Sequence, residues 1–92
     1  MPTIRLIIKG KVQGVFYRAT AKKVALELAL TGWVRNNESG DVEAMITGTQ
    51  PQLEKFVKWC RRGPDGARVT DIIEKEEEQD IAFVSFEIKR GH

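Results

Sequence analysis

The sequence predicts an α+β fold, one mainly antiparallel sheet with two helices on a single face. Three observations lead there. Segments near both ends and in the middle alternate apolar and polar residues, the period of a strand with one buried side. Two longer segments repeat their apolar residues at helical spacing. The chain has 92 residues, which suits a single domain over 1–92, and no repeat, linker or low-complexity tract interrupts it.

Each element follows in order. Residues 3–9 place Ile4, Leu6 and Ile8 on one face and Arg5, Ile7 and Lys9 on the other, a strand buried on at least one side. A glycine-containing loop follows over 10–16. From about 17 to 30, Ala21, Val24, Ala25 and Leu28 form a helical stripe, with Gly32 suited to stop it. Residues 33–36 are a short strand, 37–40 a polar turn, and 41–47 alternate again, which makes a hairpin. Thr49 and Gln52 have the spacing of a capping box for a second helix, whose core stripe is Leu53, Phe56, Val57 and Cys60 and whose end is Gly63-Pro64. Residues 68–78 read as extended but irregular, and their Glu76-Glu77-Glu78 run suits a solvated, protected sheet edge. Residues 83–90, with Val84, Phe86 and Ile88 on one face, read as the last strand. The order β-α-β-β-α-β, with an extra extended segment before the end, is the split βαβ arrangement of a ferredoxin-like sandwich. That architecture hosts many functions, so function has to be read from a site.

Composition narrows the classes. The apolar share is 41% and the charged share 30%, as in a globular protein, and apolar runs are too short to cross a membrane. No signal-peptide core precedes the first strand, so a cytoplasmic location is expected. A net charge of +2 argues against a nucleic-acid partner yet suits a small anionic substrate. Cys60 is the sole cysteine and His92, at the last position, the sole histidine. No internal disulfide, Cys/His metal site or histidine triad can be assembled from them, and Cys60 reads as a small buried hydrophobe. Neither a metal nor a cofactor is expected.

The loop before the first helix is the candidate site. Gly14 allows a tight turn, and the backbone N–H groups of Gly14, Val15, Phe16, Tyr17 and Arg18 can form an anion nest at a helix N-terminus. Arg18 adds a planar fork that can grip two phosphate oxygens. The alternative is an ordinary strand-to-helix connection with a solvated arginine. Neither G-x-x-x-x-G-K-[ST] nor G-x-G-x-x-G is present. Of Phe16 and Tyr17, one should point inward and one toward a ligand; the sequence does not say which.

Together these residues carry a resemblance. Gly10-x-Val12-Gln13-Gly14-Val15-x-Tyr17-Arg18 resembles the first signature of the acylphosphatase family. Gly32-Trp33-Val34-Arg35-Asn36, then Gly40-x-Val42 and Gly48, resembles its second. Tyr17 is a departure, because the family often has Phe or Met there, and it should affect packing beneath the loop. The resemblance implies hydrolysis of carboxyl phosphates, with phosphate held by the loop from Gln13 to Arg18. It carries the phosphate-binding arginine onto Arg18 and the water-positioning asparagine onto Asn36.

The chemistry is consistent with that implication. Phosphoryl transfer needs chiefly positioning and charge stabilisation, which an N–H nest and an arginine can supply. An asparagine carboxamide can accept a hydrogen bond from the attacking water. An acyl phosphate expels a carboxylate, whose conjugate acid has a pKa of about 4, so it leaves without a general acid at neutral pH. Asp41 and Glu43 are acids on paper but are expected to be solvated, and Trp33 is expected to pack on the core or a sheet face. Asn36 has an alternative as a plain turn former. Two other functions stay open: an RNA-binding module, which needs exposed aromatics on the central strands, and an anion sensor that binds phosphate or sulfate without turnover. The expected protein is a monomer acting on a small acyl phosphate, with inorganic phosphate or sulfate as competing anion.

Overall fold

The computed structural model describes residues 1–90; the expectation for His92 lies outside them. Alternation over the first segment becomes strand β1 (Thr3–Lys11), with Ile4, Leu6 and Ile8 buried on one side. After it come helix α1 (Tyr17–Glu27), β2 (Thr31–Asn36), β3 (Val42–Thr47), α2 (Gln50–Arg62), β4 (Arg68–Glu76) and β5 (Phe86–Ile88). The sheet order is β4-β1-β3-β2-β5. All neighbours are antiparallel except β2 and β5, which run parallel. Helix α1 packs over β2 and β5, and α2 over β4. The core between sheet and helices joins Leu6, Ile8, Val34, Val42, Ala44 and Ile46 to Ala21, Ala25, Leu53 and Phe56. No helix among the described residues is long and apolar enough to cross a membrane.

The irregular segment over 68–78 is the fourth strand of the split βαβ unit, nine residues lying against β1 at the sheet edge. Its weak patterning follows from that position, because only Ile72 of the strand is buried. The last strand is shorter than expected. Only Phe86–Ile88 pairs, and Val84 is fully exposed instead of sharing the buried face with Phe86. Helix α1 also stops early, and not at Gly32. Ala29 takes a left-handed backbone (φ 58°), its N–H bonds Leu26 O, and Leu30 N–H bonds Ala25 O, the two bonds of a Schellman stop. Gly32 lies inside β2, where a Cβ would meet the Met45 carbonyl oxygen at 1.9 Å, so close strand approach demands glycine there.

The face of the sheet away from the helices is closed by charges. Asp41 (8% exposed) and Glu43 (6%) are buried, contrary to the solvated role expected of hairpin carboxylates. Glu43 accepts from Arg5 and from the Arg35 guanidinium, and Asp41 pairs with Lys9 at 3.0 Å. Alternation turns these side chains to one face, where long basic side chains from β1 and β2 lie over the central strand. Trp33 packs on the same face, with the Arg35 guanidinium 5.0 Å and the Lys89 ammonium 4.7 Å from its ring.

Candidate active site

The start of α1 has an unusual construction. Phe16 occupies the N-cap with a left-handed backbone (φ 60°) and no side-chain cap, and the first turn has no acidic residue. Gly14, at φ 73°, turns the chain into it. Among the described residues, no backbone N–H from Gly14 to Ala19 donates to a protein acceptor. A helix start with unpaired donors and no anionic side chain has a partial positive charge and can receive an anion.

Arg18 stands in this first turn. Arg5, Lys9 and Arg35 are all committed to carboxylates, whereas Arg18 has no carboxylate partner among the described residues. Asn36 is the last residue of β2, paired with Val42 in the ladder. Strand alternation turns Trp33 and Arg35 to the open face and Asn36 to the helix side, beneath the start of α1. Its Oδ1 is buried and has no hydrogen-bond partner among the described residues. Such an orphan acceptor is rare enough to need an explanation.

Gly14, Phe16, Arg18 and Asn36 together line an open depression of roughly 730 Å³. Candidate residues from both ends of the sequence pattern therefore meet in one place. Sequence reasoning missed Ile88 and Arg90, which line the same depression from the chain end. No local motif could have flagged them, because they arrive only through the parallel pairing of β5 with β2.

The two aromatic residues divide their tasks. Phe16 is 82% exposed at the depression, while Tyr17 is buried. The Tyr17 hydroxyl donates to Cys60 O at 2.7 Å, and its ring packs 5.2 Å from Trp59. The helical partner of the Cys60 carbonyl would be the N–H of Pro64, which proline lacks, so the phenol satisfies an orphaned helix-end acceptor. Tyr17 thus anchors the start of α1 to the end of α2, a packing role as expected. Burial pushes the Tyr17 phenol well above its ordinary range. Burial likewise pushes the Cys60 thiol up to about 12, the bond from Tyr17 offsetting part of it. Neither group ionises near neutrality.

Gln13 contributes its side chain to the hairpin, not to the depression. Its Nε2 donates to Asn37 O at 3.1 Å and to Asp41 O at 2.8 Å.

A ferredoxin-like sheet with an oxyanion-receptive loop, a free guanidinium and a carboxamide beside them has the parts of a phosphate-handling enzyme that relies on positioning. A family model described as Acylphosphatase matches residues 4–88. The chain is 42% identical over 90 residues to an acylphosphatase of Methylococcus capsulatus, covering 98% of each. Its structure superposes on an acylphosphatase from Bacillus subtilis with a TM-score of 0.93 and 34% identity, covering 97% of this chain and 99% of that one. An acylphosphatase from Coxiella burnetii gives 0.91 and 35%, covering 96% and 92%. The chain belongs to the acylphosphatase family, and the reaction to be explained is hydrolysis of an acyl phosphate.

Proposed function

We propose that the N–H groups from Gly14 to Arg18, with the Arg18 guanidinium, hold the phosphoryl group, and that Asn36 directs the attacking water. The single observation that carries this reading is the helix start with unpaired donors, facing a free arginine and an orphan acceptor across one depression. The donors and Arg18 stabilise charge on the equatorial oxygens as the carboxyl-phosphate bond lengthens. A water that donates to Asn36 Oδ1 relieves an unmade hydrogen bond worth about 1–3 kcal/mol and is held in a defined direction. Its proton passes to the phosphate, since a carboxamide is no base, and the carboxylate leaves without protonation. Gln13, Val15, Phe16 and Tyr17 shape the loop, and Phe16 flanks the acyl group.

The reading includes turnover without a metal, action as a monomeric single domain in the cytoplasm, and competition by inorganic phosphate or sulfate. The RNA-binding alternative is disfavoured because Trp33, the aromatic residue of β2 on the open face, is only 9% exposed between two cationic side chains.

The test is hydrolysis of benzoyl phosphate in excess chelator. Wild type should turn over, and Asn36→Ala should lose on the order of 10²-fold or more in kcat, the scale of losing one catalytic hydrogen bond, while inorganic phosphate still inhibits both. Asn36→Ala at the wild-type rate would remove Asn36 from the mechanism, and turnover abolished by chelator would call for a metal.

A further inference from the structure

One half of the site, the N–H loop, lies outside the sheet, and the other, Asn36, closes the β2–β3 ladder opposite Val42 and is followed by an unpaired turn. The β1–β3 ladder ends at Ile8↔Val42, and the loop through Gln13 and Gly14 and the turn after Asn36 both lie beyond it. The place of the loop relative to Asn36 is therefore set by contacts outside the β1–β3 ladder. On the open face, Lys9 and Asp41 make one link, an ion pair at 3.0 Å between a partly exposed lysine and a buried carboxylate. On the loop side the link is Gln13.

Gln13 is placed so that both hydrogens of its amide are used. One goes to Asn37 O and the other to Asp41 O, the two carbonyls at the ends of the turn. The turn itself is closed: Asn37 N–H donates to Asp41 O at 3.0 Å, and Asn37 Oδ1 accepts from Ser39 N–H and Asp41 N–H, each at 3.0 Å. A rigid turn is thus gripped at both ends by one residue of the loop. Asn36 directly precedes that turn, and Gly14, which opens the N–H nest, directly follows Gln13. Among the described residues, the amide is the shortest covalent-plus-hydrogen-bond route between the residue that directs water and the backbone that receives phosphate.

We infer that Gln13 is a positioning residue: its side-chain amide sets the separation and alignment of Asn36 relative to the phosphate-receiving loop. The inference rests on the roles proposed above for the loop and Asn36. In-line attack requires water and phosphorus at a set distance, and displacement by about 1 Å can cost on the order of 10²-fold in rate. Each half, by contrast, keeps its own parts when the clasp is lost. The nest and Arg18 still receive phosphate, and Asn36 still presents its carboxamide.

The experiment is Gln13→Met, which keeps the side-chain length and removes both donors, assayed with benzoyl phosphate, with inorganic phosphate as competitive inhibitor. The expected result is a fall in kcat of about tenfold to a hundredfold, with the phosphate inhibition constant within threefold of wild type and a retained cooperative melt. Placed in an Asn36→Ala chain, the same substitution should change the residual rate less than about twofold, because the two act through one step. Gln13→Asn, which keeps the amide but withdraws it by one methylene, should give the same split. The inference is overturned by a Gln13→Met kcat within twofold of wild type, by a loss confined to phosphate inhibition, or by losses that multiply in the double variant. It is equally overturned if both single variants unfold, since the clasp would then serve the fold. Failure of the underlying roles reads differently: Asn36→Ala alone would then turn over at the wild-type rate.

Discussion

Helix α2 begins at Thr49, whose hydroxyl accepts from Gln52 N–H while the Gln52 side chain accepts from Thr49 N–H at 2.8 Å, with Pro51 in the first turn. Helix α1 begins at Phe16, with a left-handed backbone and no side chain turned back to meet its N–H groups. The chain therefore has the means to finish a helix start and does so at one of two. The capped start is self-sufficient and serves stability. The uncapped start leaves about four donors unsatisfied by the fold, open to solvent or to a ligand. Tyr17 explains how the uncapped helix is nevertheless held, since its hydroxyl bonds Cys60 O where Pro64 has no N–H to give. Stability at this end comes from a side chain buried beneath the helix, which leaves the donors above it free.

The largest expected effect breaks the open start. Arg18→Ala should lower kcat/KM for benzoyl phosphate by on the order of 10³-fold, the lower range for an arginine on a transferring phosphoryl group. Arg18→Lys should recover little of it, because a point charge lacks the fork. Calorimetric titration of phosphate should show the affinity lost with Arg18→Ala, and undiminished affinity would rule out this role. Converting the open start toward the capped kind should separate stability from activity. Ala19→Asp puts a carboxylate in the first turn of α1, which should stabilise the helix by about 0.3–1 kcal/mol while its charge repels phosphate. Denaturant unfolding should show the gain and kinetics a raised KM.

Next in size is the anchor. Tyr17→Phe should cost about 1–3 kcal/mol, because it leaves the Cys60 carbonyl buried without a partner, and kcat should stay within a few-fold. Both Tyr17 and Cys60 have folded-state pKa values raised by burial, that of Cys60 to about 12 from an ordinary 9.0. Stability from these neutral groups is complete below the unfolded values and is lost as pH rises through the folded ones. Urea midpoints should thus fall from about pH 9 upward, and less steeply in Tyr17→Phe. The smallest effect lies at the capped start. Thr49→Ala should cost about 1 kcal/mol, a Tm lowered by about 4–8 °C, with kcat and KM unchanged. A change in KM there would contradict the division of labour between the two helix starts.

Much of this was legible in sequence where local physics decides. The Thr49/Gln52 box, the Gly63-Pro64 stop and the stripes of α1 and α2 rest on contacts within a few residues, and all are found. Gly32 misled because glycine after a helical stripe usually marks a stop, whereas here the demand for glycine comes from Met45 on a neighbouring strand. Glu43 misled for a similar reason. A carboxylate in a hairpin is ordinarily solvated, and only the folded sheet brings Arg5 and Arg35 over it from strands on either side. At the site, the residue types proposed to handle phosphate were readable as a motif, but the meeting of Arg18 with Asn36 was not, since it depends on which face of β2 turns toward α1.

The sequence by itself determined the order of strands and helices and the loop able to receive an anion, because these follow from periodicity and backbone freedom. Only the tertiary structure decided that Phe16 faces solvent while Tyr17 is buried, that the Gln13 amide spans to the turn after Asn36, and that Ile88 and Arg90 come to the rim. Those outcomes depend on contacts between segments distant in the chain. Their free energy comes from burial and from hydrogen bonds whose partners exist only once the sheet has formed.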